Sequence, residues 1–555
     1  MKRNKLLLSL IGCLLFFLVI SLGRCTNIRI DLTEDKRYTL TDAAAEVVRE
    51  INGPLSIDVL LGGELPPEFA KLRLETVQIL KEYAAENDVL SYQVVDPLED
   101  QEKNESVIAE LQAFGLTPAN ITTEENAKIS QEIFFPWAIV SANNKVIKVP
   151  LLKNKLGATM EDRVTLSVQN LEYAFADAFS KLIVKDKKKI AVIKGNGELE
   201  DIYLANFLTD LKDYYNLGAI TLDSAETNAQ KVFDQLKTYD LAIIAKPTEP
   251  FSQTEKYLLD QYIVQGGKSL WLLDPVIMEL DSLFNETGSS MAYPRELNLN
   301  DIFFKYGFRL NPDLVNDMYF TQVVLATGDG NNTQYNPVPW TYNPMVFSPE
   351  NHPINKNLEA LRFQFTSSID TLANSYKKTV LLASSPLSKV DGTPKIINLN
   401  RISEPLEKES FNNGNQILSL LIEGDFSSAF ENRVLPINLQ ESSLKGEENK
   451  MLIISDGDLI KNQIRNNLPL ELGYDKWTNN YYGNKDFLIN SVNYLLDDSG
   501  LINIRNKKVK IPLLDPEKIV EQKTKWQLVN IGVPLVLLFI FGFVFFYIRK
   551  QKYSA

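Results

Sequence analysis

The sequence predicts an α/β protein in which a thioredoxin-like N-terminal domain without redox cysteines precedes a doubly wound, Rossmann-like or flavodoxin-like domain, with one transmembrane helix at each end. Short apolar strands alternate with amphipathic helices through the first half of the chain, which is typical of a parallel sheet covered by helices. Two long uncharged runs lie near the termini. Hydrophobic residues make up 45% and charged residues 23% of the 555 residues, as in globular proteins with packed cores.

The first uncharged run covers residues 6–22 and follows the basic residues Lys2, Arg3 and Lys5. Its 17 residues fall within the range that can span a bilayer. Two alternatives are lipidation at Cys13, which ends a lipobox-like stretch, and cleavage after Gly23. Because seven more apolar residues follow Cys13, we favour an uncleaved anchor.

The second uncharged run covers residues 528–548, and its 21 residues are long enough to cross the hydrocarbon core. Trp526 and Tyr547 stand near its two ends, where aromatic residues favour the membrane interface. Basic residues flank the outer side of both runs, so the positive-inside rule predicts two cytoplasmic termini and a large periplasmic body in the bacterial inner membrane.

Composition excludes several classes of function. The net charge of -13 disfavours binding to nucleic acid, whose phosphates repel an acidic protein. Cys13 lies in the first apolar run and Cys25 just after it, so the body beyond residue 25 has no cysteine for a disulfide, a zinc site or a nucleophile. The one histidine, His352, lies in a proline-flanked stretch that we interpret as a surface loop.

The N-terminal domain, residues 24–184, is predicted from a strand–helix–strand unit followed by a hairpin and a long helix. Asn143 and Asn144 would form the hairpin turn, and a basic run at residues 187–189 marks the end of the domain. The predicted helices are residues 42–51, 68–87 and 162–182, and the predicted strands are residues 56–61, 91–95, 133–140 and 145–149.

The second domain, residues 185–505, begins with four short and fully apolar strands separated by helices, which indicates a parallel sheet buried on both faces. These strands are predicted at residues 190–193, 219–222, 241–245 and 269–273, with helices at 203–214, near 232 and at 254–265. Residues 288–353 are rich in Asn, Gly, Pro and aromatic side chains and are expected to be an irregular insertion. Apolar segments at residues 379–383, 416–422 and 451–455 either return to the same domain or form a small companion domain. A helix at 487–496, a linker at 506–527, the second transmembrane helix and a cytoplasmic tail at 549–555 complete the chain.

Ligands of such sheets bind at the carboxyl ends of the strands. The turn at residues 195–198 could hold an anion, but it lacks the third glycine of a dinucleotide fingerprint, and a tight structural turn is the alternative. Acidic residues after the later strands could hold a hard cation or serve turn geometry alone. We expect no catalytic residue, no metal and no cofactor. The candidate residues for binding a ligand or partner are Asn196, Glu198, Lys246, Asp274, Asp456 and Asp458.

Eight stretches together resemble the gliding-motility-associated ABC transporter auxiliary protein family of Bacteroidetes, GldG. They are Arg37-Tyr-Thr-Leu-Thr41, Arg163-Val-Thr-Leu-Ser-Val-Gln-Asn-Leu-Glu-Tyr-Ala174, Ile190-Ala-Val-Ile-Lys-Gly-Asn-Gly-Glu-Leu199, Tyr239-Asp-Leu-Ala-Ile-Ile-Ala-Lys-Pro247, Glu255-Lys-Tyr-Leu-Leu-Asp-Gln-Tyr262, Ile454-Ser-Asp-Gly-Asp-Leu459, Gly483-Asn-Lys-Asp-Phe-Leu-Ile-Asn490 and Leu501-Ile-Asn-Ile-Arg-Asn-Lys507. One departure is Asn196, where the family pattern has His, which argues against acid–base chemistry in that turn.

The resemblance implies a non-catalytic accessory subunit that engages substrate or couples to a separate ABC ATPase and a multi-spanning permease, in a system associated with gliding. It also implies an α/β domain similar to one in an intraflagellar-transport protein. Two other functions stay open from the residues alone: a structural scaffold for an envelope machine, and a membrane-tethered periplasmic hydrolase.

Overall fold

The computed structural model describes residues 39–100, 104–125, 128–142, 145–153, 158–183, 186–212, 214–327, 334–497, 504 and 516–553. The chain divides into two compact units, Met1–Lys508 and Val509–Ala555, and each is considered by itself. The described residues form ten α-helices: α1 (Asp42–Arg49), α2 (Pro67–Glu86), α3 (Asn104–Ala113), α4 (Met160–Ile183), α5 (Asp201–Lys212), α6 (Ala225–Leu236), α7 (Gln253–Val264), α8 (Asn300–Tyr306), α9 (Asn484–Leu496) and α10 (Pro516–Tyr553).

The strands form a small N-terminal sheet, a large central sheet and several short sheets. They are β1 (Leu55–Val59), β2 (Leu90–Val94), β3 (Ala119–Glu125), β4 (Lys128–Phe134), β5 (Trp137–Ala142), β6 (Lys145–Pro150), β7 (Lys189–Lys194), β8 (Asn216–Thr221), β9 (Leu241–Ala245), β10 (Lys268–Leu272), β11 (Val276–Ile277), β12 (Ser289–Pro294), β13 (Phe308–Leu310), β14 (Asp313–Asp317), β15 (Phe320–Thr327), β16 (Gln334–Val346), β17 (Leu361–Arg362), β18 (Ile369–Thr371), β19 (Lys377–Ala383), β20 (Ser388–Gly392), β21 (Lys395–Asn398), β22 (Ile417–Ser427), β23 (Lys445–Ile454), β24 (Ile464–Arg465), β25 (Leu468–Pro469), β26 (Tyr474–Asp475) and β27 (Asn480–Tyr481).

The N-terminal sheet has the strand order β2-β1-β5-β6. β1 and β2 are parallel, with α2 connecting them, whereas β5 pairs antiparallel with both β1 and β6. Helices α2 and α4 pack on each other through aromatic rings, with Tyr83 and Phe179 4.9 Å apart edge to face. The predicted hairpin is present as β5 and β6, although residues 133 and 134 end the preceding strand β4 instead.

The central sheet contains five parallel strands in the order β8-β7-β9-β10-β23, and β22 then pairs antiparallel with β23. All five residues of β9 are buried, because helices cover both faces of the sheet. Side chains alternate along each strand between two cores. One core holds Phe233 of α6, Leu258 of α7 and Trp271 of β10, and the other holds Phe207 of α5 and Phe487 of α9.

The apolar segments at 416–422 and 451–455 therefore return to the same sheet, since they lie in β22 and β23. Residues 288–353 differ from the expected irregular insertion, because they contain β12 to β16 and α8. Asn and Pro residues within these strands conceal the period-two pattern; β16 alone contains Pro337, Pro339 and Pro344. This region has a core of its own, in which the Trp340 ring lies 6.3 Å from that of Phe365.

Among the described residues, one helix is long and apolar enough to cross a membrane, and it covers Glu521–Lys552 within α10. Its position agrees with the predicted second transmembrane segment. The predicted first anchor, with Cys13 and Cys25, lies outside the described residues.

Candidate functional site

A cluster of charged side chains lies at the carboxyl edge of the central sheet. β9, β10 and β23 are parallel neighbours, so the residues that follow them meet at one edge. Lys246 follows β9, Asp274 follows β10 and Asp458 follows β23. The structure thus brings together four of the six predicted candidates: Lys246, Asp274, Asp456 and Asp458.

Lys246 is the centre of this cluster and is only 3% exposed. Its Nζ lies 2.6 Å from Asp458 Oδ1, 2.7 Å from Glu279 Oε1 and 3.3 Å from Asp274 Oδ2. The Lys246 backbone has φ 54°, in the left-handed region that non-glycine residues rarely adopt. A buried lysine is tolerated only with counter-charges, and here three carboxylates supply them.

The backbone around Asp456 holds the carboxylates in place. Asp456 accepts hydrogen bonds from Asp458 N at 2.7 Å and from Gln364 N at 2.6 Å. Asp274 accepts a hydrogen bond from Gly457 N. A Cβ on Gly457 would lie 2.5 Å from Lys246 Cγ, so the lysine side chain can pass over this residue only because it is glycine.

The carboxylates differ in proton affinity. Burial raises the pKa of Asp274 to about 6, an effect that Lys246 partly offsets. Burial, with the neighbouring charges of Asp274 and Asp458, raises the pKa of Asp456 well above its ordinary value. Burial also acts to raise the pKa of Asp458, but Lys246 and Lys461 outweigh it and the pKa is lowered. For Lys246, burial is outweighed by Asp274, Asp458 and Glu279, so its pKa is raised.

A metal ion is the obvious alternative occupant of such a cluster. Asp274, Glu279 and Asp458 each offer an oxygen, and these oxygens lie within 4.8 Å of one another. The Lys246 ammonium contacts all three residues and so fills the position between them. In the folded protein, the ammonium group of Lys246 thus occupies the position that a metal ion would take.

Asn196 and Glu198 belong to a separate group in the turn after β7. Asn196 N donates to Glu198 Oε2 at 2.8 Å, and Asn196 Nδ2 donates to Glu255 Oε2 at 3.2 Å. Asn196 O accepts from the backbone N of Thr248 and of Glu249. Burial raises the pKa of Glu198. These bonds tie the turn after β7 to the turn after β9, and within the described ranges no ion pair links this group to Lys246.

A cavity of about 630 Å³ opens beside the cluster, and Glu279 and Asp458 lie in its wall. Sequence reasoning missed four residues there: Glu279, Arg362, Gln364 and Lys461. Glu279 precedes the 3-10 helix Leu280–Leu283, Arg362 and Gln364 lie in or just after β17, and Lys461 follows β23. Only the tertiary fold brings these four residues together. The sole signal in the sequence is that Glu279 follows soon after Asp274-Pro275.

His352 differs from its interpretation as a surface residue, since it is 9% exposed. Its Nδ1 accepts a hydrogen bond from Ile354 N at 3.3 Å, and its ring packs edge to face on Tyr494. Burial lowers the pKa of His352 to about 4. A proline-flanked histidine looks exposed in sequence, but here it caps the 3-10 helix Pro353–Asn355.

Comparison with known proteins finds two family matches. Residues 187–491 match the family model ABC_transp_aux, described as an ABC-type uncharacterized transport system. Residues 34–141 match a domain of unknown function, DUF7088.

An uncharacterized protein of Borreliella burgdorferi is 20% identical over 563 residues, which cover 99% of each chain. The solved N-terminal domain of mmIFT52 is 14% identical with a TM-score of 0.31, over 56% of this chain and 99% of that one. Because the first family match spans more than half of the chain, this protein belongs to the ABC_transp_aux family of auxiliary proteins of an ABC-type transport system.

Proposed function

We propose that this protein is a non-catalytic, membrane-anchored accessory subunit that couples to a separate ABC ATPase and a multi-spanning permease. The family match over residues 187–491, which contains the whole charged cluster and the cavity, is the observation that carries this proposal. The narrower placement in the GldG family, with its association with gliding motility in Bacteroidetes, rests on the eight sequence stretches alone.

The arrangement of the cluster supports a role in binding rather than in catalysis. The carboxyl edge of a parallel sheet is where ligands and catalytic groups usually lie. Here Lys246 occupies that edge, buried and paired with three carboxylates. The ion pairs of Lys246 with Asp274 and Asp458 stabilise the ends of the strands. The neighbouring cavity is then the surface that can contact a ligand or partner.

We also propose the narrower fold assignments. The strand order 2-1-3-4-5 of the five parallel strands, counted along the chain, is the order of flavodoxin-like sheets. In the N-terminal sheet, the parallel β1–β2 unit followed by the antiparallel β5–β6 hairpin and α4 supports a thioredoxin-like assignment.

For the membrane topology, we propose an inner-membrane protein with two anchors, two cytoplasmic termini and a periplasmic body. The support is the helix Glu521–Lys552, the apolar run at residues 6–22 and the basic residues on their outer sides. Single cysteines placed at Ser554 and at Glu286, in a chain without Cys13 and Cys25, test this topology. A membrane-impermeant thiol reagent added to intact spheroplasts should label only the cysteine at position 286.

The partnership is tested by a mild-detergent pull-down of the tagged full-length chain from its own cells, with identification of the co-purifying proteins. We expect an ABC ATPase and a permease in a fixed ratio. Recovery of neither, under conditions that keep a known ABC complex intact, would refute the accessory role and favour a structural scaffold or a tethered hydrolase.

A further inference from the structure

Strand β8 lies at one end of the central sheet and pairs with β7 alone among the strands that the structure describes. The backbone N of Asn216 and that of Leu222 donate to carbonyl oxygens on the β7 side, at 2.9 and 2.8 Å, so every second residue between them also faces β7. The residues in between direct their N–H and C=O groups to the other side of the strand. The open edge of the sheet therefore presents the backbone groups of Leu217, Ala219 and Thr221.

This edge has none of the features that usually protect an exposed strand from pairing. Its six residues contain no charged side chain and no proline, and its ladder with β7 runs without a bulge. Asn216, Ala219 and Thr221 are exposed, so the edge is open to solvent in the part of the chain that the structure describes. Edge strands are normally blocked by lysine, proline, bulges or a covering helix, because an open edge pairs readily with another strand. β8 is therefore available for strand addition.

The two edges of the N-terminal sheet differ from β8. The edge strand β6 contains Lys145, Lys148 and Pro150, which oppose pairing. The other edge strand, β2, is uncharged, but Asp88 precedes it and Asp96 follows it. An antiparallel copy of β2 would place these acidic ends against each other, and like charges disfavour that contact.

Opposite charges flank the two ends of β8. The lysines at residues 187–189 and Lys212 lie near its amino end, offset in part by Asp186, whereas the exposed residues Asp223 and Glu226 follow its carboxyl end. When two copies of β8 pair antiparallel, the basic end of each strand meets the acidic end of the other. Such complementarity favours association and fixes its orientation. A second copy of this chain is therefore the partner that this edge fits.

We infer that this protein forms a two-fold symmetric dimer in which the β8 strands of two copies pair antiparallel. The register that uses all three outward-facing residues places Ala219 opposite Ala219 of the second copy, and Leu217 opposite Thr221. Two-fold dimers of this kind are the commonest oligomers. One strand from each copy buries less surface than a standard interface of about 1,600 Å², so we expect a dissociation constant on the order of 10 μM. The dimer goes beyond the proposed transporter role and does not depend on it.

Disulfide cross-linking tests the register. In a chain without Cys13 and Cys25, Ala219→Cys places two thiols at the two-fold axis, with Cα atoms about 5.5 Å apart, which a disulfide can bridge. The matched control is Thr221→Cys, which is also at an exposed position, but its two copies would lie roughly 13 Å apart or more. Under mild oxidation of the purified full-length chain in detergent micelles, we expect a covalent dimer from Ala219→Cys and none from Thr221→Cys.

Ala219→Lys tests the pairing without a cross-link. Two lysines would face each other at the axis, so we expect the dissociation constant, measured by analytical ultracentrifugation in detergent, to rise about tenfold or more. Because Ala219 is exposed, the far-UV circular dichroism spectrum should not change, and this separates loss of the dimer from loss of the fold. Ala85→Lys, at an exposed position of α2, is the matched control and should dimerise as the unmodified chain does.

A monomeric unmodified chain at concentrations well above the expected dissociation constant, or equal cross-linking of Ala219→Cys and Thr221→Cys, would overturn the inference. Cross-linking of Ala219→Cys to a different protein in native membranes, with no covalent homodimer, would show that the edge takes a strand from a partner and would overturn self-pairing. Recovery of the dimer without any transporter subunit would leave the dimer standing and refute the proposed function instead.

Discussion

Lys246 and Asp458 form an ion pair across an intervening strand. Lys246 follows β9 and Asp458 follows β23, and β10 lies between the two strands. Neighbouring strands are about 4.8 Å apart, so the lysine side chain reaches over β10 to bring Nζ within 2.6 Å of Asp458 Oδ1. One side chain thus links strand ends that are more than 200 residues apart in sequence.

Loss of this cation should be strongly destabilising. Lys246→Met keeps the length of the side chain but leaves Asp274 and Asp458 buried without their counter-charge, so we expect the free energy of unfolding to fall by about 3–5 kcal/mol. Urea denaturation of the full chain in detergent, followed by tryptophan fluorescence, measures the change. As a control, Arg309→Met removes a largely exposed ion pair with Asp370 and should cost less than about 1 kcal/mol. If Lys246→Met and Arg309→Met lowered the free energy of unfolding equally, the buried ion pair of Lys246 and Asp458 would contribute no more to stability than an exposed one.

The close passage of Lys246 over Gly457 can be tested separately. Gly457→Ala places a methyl group 2.5 Å from Lys246 Cγ, and the lysine or the backbone must then move. We expect a loss of about 1–3 kcal/mol in the free energy of unfolding. The matched control is Gly392→Ala, because a Cβ at that position meets nothing within 4 Å. A neutral effect at Gly457 would show that the cluster adapts to the added methyl group.

The raised pKa of Asp274 predicts a specific dependence of stability on pH. Its pKa is about 6 in the folded protein against an ordinary value of 3.8, so the folded state holds this proton more tightly than the unfolded state. This contribution is fully present below about pH 4 and is lost as the pH rises through 6. The side chain of Asp274→Asn does not titrate in this range, so the variant has no such pH-dependent contribution. Between pH 4 and pH 7, the free energy of unfolding of the variant should therefore rise by about 2–3 kcal/mol relative to that of the unmodified chain. Urea midpoints across this range measure the trend, and a trend of opposite sign would contradict it.

His352 should give the opposite dependence of stability on pH. Its pKa is about 4 in the folded protein against 6.5 ordinarily, so the unfolded state binds the proton more tightly. The stability that neutral His352 contributes is present above about pH 6.5 and is lost as the pH falls towards 4. His352→Gln should therefore be most destabilising at neutral pH, and the difference should shrink by on the order of 1–3 kcal/mol at acid pH. The same urea series measures it, and a pH-independent difference would mean that the imidazole is solvated.

The parts of the fold that sequence predicts well are those with a strong local signal. The five consecutive apolar residues of β9 are typical of a buried strand. The start of α7 is indicated by Ser252 and Glu255, which form a capping box. β16 is different, because its 13 residues contain three prolines and pair with β15 through a register shift. No local sequence pattern identifies such a strand, since its conformation depends on pairing with β15.

The residues of the candidate site also divide into those with a local sequence signal and those without one. Lys246, Asp274 and Asp458 are recognisable because each follows an apolar strand. That they share one ammonium depends on the strand order β9-β10-β23, and β10 and β23 are separated by the whole of β11 to β22. Arg362 and Glu279 carry no signal of this kind, because neither follows one of the apolar parallel strands and only the tertiary fold brings them to the cluster and the cavity.

The pairing of β10 with β23 has a consequence for how the chain folds during synthesis. Leu270 of β10 pairs with Leu452 of β23, so β10 cannot pair with β23 until all the residues between the two strands have been synthesised. Until then β10 is an open, apolar edge of a parallel sheet, the kind of surface that promotes aggregation. Contacts this distant in sequence also slow folding. A ribosome-bound chain that ends before residue 445 should therefore depend on chaperones, and one that extends past α9 should not.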